Sequence, residues 1–211
     1  MLKDLCFEVI QTCPNKCKFC SSNSSKDKTT IITLEQFKRT VKHFINQGGI
    51  EEISISGGEP FLHPDLFEMV GFCKENGIRT VVFTSGIKRN SEMSEEMLEY
   101  IKNKKNNALK EIEENEPWNE RLKRNVTTYY ERWLTPETFT AITRQEFKKL
   151  KELGLDKIVF DWQALDTDID NELMGRKCLN TYLMDSLIRA RTVGLNVDVH
   201  FHIYVQQEPK S

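Results

Sequence analysis

Cys13, Cys17 and Cys20 stand in the run Cys13-Pro14-Asn15-Lys16-Cys17-Lys18-Phe19-Cys20, a C-x3-C-x2-C spacing. So short a loop can aim three thiolates at one point. Three thiolates hold a four-iron cluster and leave one iron without a protein ligand, whereas a structural cluster takes four cysteines. An open metal position is where chemistry takes place in catalytic metal sites. A structural zinc ion is the competing occupant. It needs a fourth ligand, for which His63 is available, although Pro60-Phe61-Leu62-His63-Pro64 reads as the start of a helix. The other three of the six cysteines, Cys6, Cys73 and Cys178, lie far apart in apolar or helical contexts. They read as reduced, buried packing residues of a chain kept in a reducing compartment.

Those cysteines need elements to hold them. Leu5 to Thr12 reads as a first strand leading into the cysteine loop, and Glu52 to Ser56 as a second, followed at once by Gly57-Gly58-Glu59-Pro60. Arg79 to Thr84, Lys157 to Trp162 and Asn196 to Tyr204 read as strands three to five. Helical spacing occupies 34–48, 64–76, 143–153 and 179–193, with Gly48-Gly49, Gly77, Gly154 and Gly194 as stops. Alternation of this kind predicts an α/β fold with an open parallel sheet and right-handed crossovers. In such folds the ligand lies at the carboxyl ends of the strands. The cysteine loop, the glycine pair, Thr84-Ser85-Gly86 and Asp161 all fall at such ends.

One stretch breaks the rhythm. No glycine occurs from Ile87 to Leu153, and Glu, Lys, Asn and Arg dominate 92–133. Leu98, Ile101, Leu109, Ile112 and Leu122 keep loose helical spacing, so 91–141 reads as a helical insertion within a single domain spanning 1–211. It is either a solvated excursion or a lid and docking surface, with Trp118, Tyr129, Tyr130 and Trp133 as apolar contacts. Asp166, Asp168 and Asp170 lack the glycine and distal glutamate of a calcium loop and read as a solvated loop. His200 and His202 alternate and share a face of strand five, either as an inward hydrogen-bonded pair or with His202 facing a pocket.

Composition sets outer bounds. The 211 residues are 38% hydrophobic and 29% charged, with 30 Lys plus Arg against 32 Asp plus Glu, a net charge of −2. That balance gives no reason to expect a nucleic-acid or anionic-membrane partner. With no apolar run of membrane length and no signal-peptide layout after Met1, a cytoplasmic protein is expected. Five strands leave an eight-stranded barrel incomplete, so either the barrel is partial or the chain is shorter than its relatives.

The chain resembles the radical S-adenosylmethionine (SAM) enzymes, through Cys13-x3-Cys17-x2-Cys20 with Phe19 before the last cysteine, and Gly57-Gly58-Glu59-Pro60 after strand two. The branch it resembles modifies peptides and cofactors. The resemblance implies a partial (β/α) barrel. It implies a [4Fe-4S] cluster on Cys13, Cys17 and Cys20, with the amino and carboxylate groups of SAM on the open iron. Gly57 and Gly58 would let backbone approach the methionyl part, Glu59 would accept from the SAM amino group, and Pro60 would stiffen the turn. Phe19 would line the adenine side. Thr84 and Ser85 would share the rim. Asp161 and Gln163 would lie near the ribose or carboxylate, Arg176 would meet the carboxylate, and His202 would face the pocket. Reductive cleavage of SAM would give a 5′-deoxyadenosyl radical that takes a hydrogen atom from a peptide or small molecule. A flavodoxin- or ferredoxin-type donor would supply the electron. The alternatives are an activating enzyme that docks a partner protein on the insertion, and a non-catalytic cluster-binding regulator.

Overall fold

The computed structural model describes residues 2–92, 94–134, 137–178 and 180–201. Among them, five parallel strands form one sheet: β1 (Leu2–Ile10), β2 (Ile50–Gly57), β3 (Arg79–Thr84), β6 (Lys157–Asp161) and β7 (Val197–His200). They lie in the order β1-β2-β3-β6-β7, paired parallel throughout. Each strand sits beside the next one added by the chain, and helices fill the crossovers, as parallel pairing requires.

The central strands bury apolar side chains under a layer of helices. Ile53 and Ile55 of β2, Val82 of β3 and Ile158 and Phe160 of β6 have no exposed surface. Four helices supply the covering layer: α1 (Leu34–Asn46), α2 (Leu66–Glu75), α5 (Arg144–Glu152) and α7 (Asn180–Thr192), each touching the next. Phe37 and Val41, Leu66 and Met69, Phe147 and Leu150, and Leu183 and Ala190 are their buried faces. Thr33 with Gln36 and Thr143 with Glu146 form capping boxes that start α1 and α5, pairing two amides that a helix start leaves open.

Two features depart from the expected pattern. The stretch read as wholly helical opens and closes on an antiparallel ribbon, β4 (Ile87–Glu92) with β5 (Glu137–Ala141), paired from Ile87 opposite Ala141 to Glu92 opposite Glu137 with a register shift between Arg89 and Glu92. Between them, α3 (Glu95–Asn115) packs against α4 (Glu120–Trp133). The ribbon escaped notice because Lys88-Arg89-Asn90-Ser91-Glu92 carries no apolar alternation; β5 supplies the pairing from 45 residues away. Trp118 and Tyr129 are exposed, and Tyr129 meets Tyr130 edge-on at 5.2 Å; the Trp133 side chain lies outside the described residues.

The second departure is α6 (Thr167–Met174), where a solvated loop was expected. Asp166 caps it, accepting from the Asp168 and Ile169 amides, and Gly175 ends it in the left-handed conformation. The aspartates therefore differ in role: Asp166 is the cap, Asp168 is exposed, and Asp170 is fully buried. Cys73 and Cys178 are buried as expected, but Cys6 is exposed. It lies on β1, at the sheet's edge, where one flank has no neighbouring strand. No described helix is long and apolar enough to cross a membrane.

Candidate active site

The carboxyl ends of β1 and β2 are bolted together. The Gly58 amide donates to the Ile10 carbonyl at 2.5 Å and the Glu59 amide to the Thr12 carbonyl at 2.9 Å. A Cβ on Gly57 would stand 2.5 Å from the Ile10 oxygen, and one on Gly58 would stand 2.2 Å from the Thr12 oxygen. Those contacts are impossible for any other residue. The glycine pair is thus required by the strand that leads into the cysteine loop.

That loop is fastened on both sides. On one, Cys13 and Ser25 share a backbone bond of 3.1 Å, and the Thr12 hydroxyl donates to the Lys28 carbonyl at 2.6 Å. On the other, the Lys16 and Lys18 amides donate to the Met174 and Leu173 carbonyls at the end of α6, both at 3.0 Å. The Cys17 thiol points to the Met174 sulfur at 3.5 Å, and the Ser24 amide donates to the Cys20 sulfur at 3.3 Å. Pro14 is buried beside Cys13, Cys17 and Cys20 are half-buried, and Phe19 is half-buried.

Glu59 has no exposed surface. One carboxylate oxygen accepts from the Phe61 amide at 3.2 Å and the Thr84 hydroxyl at 2.7 Å. The other accepts from the Ser85 amide at 2.9 Å and the Ser85 hydroxyl at 2.7 Å. The Thr84 oxygen in turn accepts from the Gly86 amide, so its proton is the one given to Glu59. A carboxylate offers about four acceptor positions, and protein donors occupy four. Its side chain therefore ties the end of β2 to the end of β3, in place of the free acceptor expected for the SAM amino group. Burial raises its pKa, and the Ser85, Thr84 and Phe61 donors oppose the rise. Pro60 is buried and opens a single 3-10 turn over Pro60–Leu62.

At the end of β6, Asp161 is half-buried and Gln163 is buried. Both polar atoms of the Gln163 side-chain amide lack a partner among the described residues, and an unpaired buried polar atom costs about 1–3 kcal/mol. Arg176 is held by two partners. Its guanidinium donates to Asp170 at 2.5 Å and to Asn15 at 2.9 Å, with Arg176 and Asp170 side chains essentially unexposed. His200 is exposed and packs edge-on against Phe83 at 5.6 Å; His202 lies outside the described residues. A cavity of about 410 Å³ opens between α4 and α6, with Thr128, Glu131, Asp168, Glu172, Arg176 and Cys178 among its walls.

The thiols share one neighbourhood. Burial pushes Cys17 up to about 11, with Cys20 adding to the rise, Arg176 opposing it and Asp161 adding to it. Burial likewise raises Cys13, helped by Glu59 and the other two cysteines. Among the described residues, no three His, Cys, Asp or Glu side chains converge on a single metal-ion position. His63 is also removed as a zinc ligand: its Nε2 lies 2.8 Å from the Ile32 carbonyl and its Nδ1 accepts from the Asp65 amide.

The family model described as "Radical SAM superfamily" matches residues 7–134, more than half of the chain. The chain belongs to the radical SAM superfamily. Members of this superfamily of enzymes use a [4Fe-4S] cluster and SAM. Curated relatives include the antilisterial bacteriocin subtilosin biosynthesis protein AlbA of Bacillus subtilis, 30% identical over 103 residues, which are 49% of this chain and 22% of AlbA. GTP 3′,8-cyclase of Aquifex aeolicus is 22% identical over 204 residues, 94% of this chain and 47% of the cyclase. Among solved structures, Streptococcus suis SuiB bound to its precursor peptide SuiA superposes with a TM-score of 0.55 at 17% identity, covering 99% of this chain and 34% of SuiB. That likeness shows the fold, a radical SAM (β/α) barrel sheet. The chain spans less than half the length of each of these proteins.

The residues at the rim fit the superfamily's cofactors by their chemistry: three sulfurs on one loop, and at the end of β6 the Gln163 side-chain amide, unpartnered among the described residues. Sequence reasoning missed Asn15, Asp170, Met174 and Gly175, which hold the loop from behind. The available signal was the helix itself: an Asp166 cap, apolar Ile169 and Leu173 at helical spacing, then Gly175.

Proposed function

We propose that this chain is the core of an enzyme that cleaves SAM reductively and abstracts a hydrogen atom from a peptide or small-molecule substrate. Cys13, Cys17 and Cys20 hold the [4Fe-4S] cluster, and Phe19, the Gly57-Gly58 backbone, Asp161 and Gln163 line the SAM site. The observation that carries this is the pair of backbone bonds locking the cysteine loop's root to Gly58 and Glu59, because it fixes the cluster beside the β2 turn. When bound, the cluster and SAM supply the radical chemistry; the chain positions them and excludes water. Glu59, Thr84 and Ser85 keep the ends of β2 and β3 in fixed relation. The Gln163 side chain gains in bound SAM the hydrogen-bond partner it lacks among the described residues.

A peptide substrate is supported by SuiB, whose structure holds a precursor peptide, and by AlbA, a bacteriocin biosynthesis protein. The cavity between α4 and α6 is of a size that takes a side chain or small molecule, and the α3–α4 insertion forms one of its walls. A low-potential flavodoxin- or ferredoxin-type donor supplies the electron. Anaerobic reconstitution should give about four irons per chain, and dithionite with SAM should then release 5′-deoxyadenosine. Iron without cleavage would sink the enzymatic reading and leave a binding protein.

A further inference from the structure

Besides Glu59, two charged side chains among the described residues are buried beside the cysteine loop. Asp170 is fully buried, Arg176 is 7% exposed and Asn15 is 2% exposed. Asn15 sits within the loop, between Cys13 and Cys17. Its Oδ1 accepts from Arg176 Nη1, while Arg176 Nη2 donates to Asp170 and the other Asp170 oxygen accepts from the Gln163 backbone amide at 3.2 Å. The chain of contacts therefore runs from the end of β6 through α6 into the loop. Next to it, Gly175 lets the end of α6 press against Lys16, where a Cβ would stand 2.1 Å from the Lys16 oxygen.

We propose that Asp170, Arg176 and Asn15 form a clasp that positions the cysteine loop, and that the Arg176 cation raises the reduction potential of the cluster the loop carries. This rests on the cluster reading above. In this clasp Arg176 is a positioning residue that acts on the cysteine loop through Asn15. Two physical arguments carry it. A planar guanidinium can bridge two acceptors at fixed angles, so it transmits the rigid placement of Asp170 to Asn15. A buried cation near a cluster ligand also stabilises the more negative, reduced cluster, since net charge and hydrogen bonding around the sulfurs set cluster potentials. The cation donates straight to the loop residue Asn15, whereas Asp170 stands one bond further back, on Arg176 and the Gln163 backbone amide.

Two variants separate clasp from scaffold. Asn15→Ala cuts the loop end and leaves the Arg176–Asp170 pair whole. The double variant Asp170→Asn/Arg176→Met removes both charges together, leaving no lone buried ion. After anaerobic reconstitution, iron loss to a chelator is timed and the midpoint potential is found by redox titration followed by electron paramagnetic resonance. Asn15→Ala should lose iron about tenfold faster, the usual scale for a support residue behind a metal ligand, with its potential unchanged. The double variant should lose iron faster and also titrate at a more negative potential. If wild type loads and Asn15→Ala retains iron as wild type does, the clasp is refuted. A double variant with the wild-type potential refutes the tuning. Should the double variant not fold, Asn15→Ala alone decides the clasp, and Arg176→Lys, which keeps the cation, must hold the potential near wild type or the tuning fails. A wild-type chain that takes up no iron overturns the cluster reading itself, and the clasp with it.

Discussion

Gly175→Ala offers the sharpest test of how the cysteine loop is held. Gly175 adopts φ +60°, and an added Cβ would lie 2.1 Å from the Lys16 carbonyl oxygen, 2.8 Å from its carbon and 3.3 Å from its Cα. All three atoms are backbone, so no rotamer change relieves the contact. Gly194 is its natural control: it ends α7 at φ +80° with nothing within 4 Å of the added Cβ. Both substitutions carry the left-handed penalty of about 1 kcal/mol. Only Gly175→Ala must also push the loop away. That breaks the Lys16–Met174 and Lys18–Leu173 backbone bonds, worth about 1 kcal/mol each. The expected losses are about 1 kcal/mol for Gly194→Ala and about 3 kcal/mol for Gly175→Ala. In a domain of this size, about 2–4 °C of Tm accompanies each kcal/mol, giving drops of about 2–4 °C and about 6–12 °C. Thermal unfolding of the iron-free chain by circular dichroism measures both. Equal drops in the two variants would refute the claim that α6 and the loop are in obligatory contact.

Glu59→Gln should destabilise the iron-free chain by about 2–3 kcal/mol in urea unfolding, since an amide nitrogen would face donors that the carboxylate now accepts; unchanged stability would show that the Thr84 and Ser85 bonds do not form. Ser186 is fully buried, accepts from the Ile142 amide at 2.8 Å and donates to the Gly86 carbonyl at 2.6 Å. Ser186→Ala should therefore cost about 2 kcal/mol, measured the same way, and a neutral result would contradict that bridge. Cys17 must bind iron as thiolate, yet burial holds its thiol protonated up to about 11, and Cys13 is raised in the same direction. Cluster loading thus releases at least two protons, and apparent affinity should rise by about 100-fold per pH unit between about pH 6.5 and about pH 8.5. Iron uptake that is flat over that interval would refute the protonated resting state.

What could be read without coordinates was local. The C-x3-C-x2-C spacing, the Gly57-Gly58-Glu59-Pro60 turn and the strand–helix alternation each declare themselves within about ten residues, because strand and helix periodicity and turn chemistry act over that range. They sufficed for the five parallel strands, the four covering helices and the superfamily. The short helix α6 was legible in principle, through Asp166 and Gly175, but three aspartates in eight residues disguised it as solvated. Only the tertiary structure decided who holds whom. Glu59 meets Thr84 and Ser85 across 25 residues or more, β4 meets β5 across a two-helix insertion, and Arg176 meets Asn15 across 161 residues. The physical reason is that a buried charge announces only that it needs a partner. Which partner it finds is set by the sheet order and by which strand ends the parallel crossovers bring to one edge.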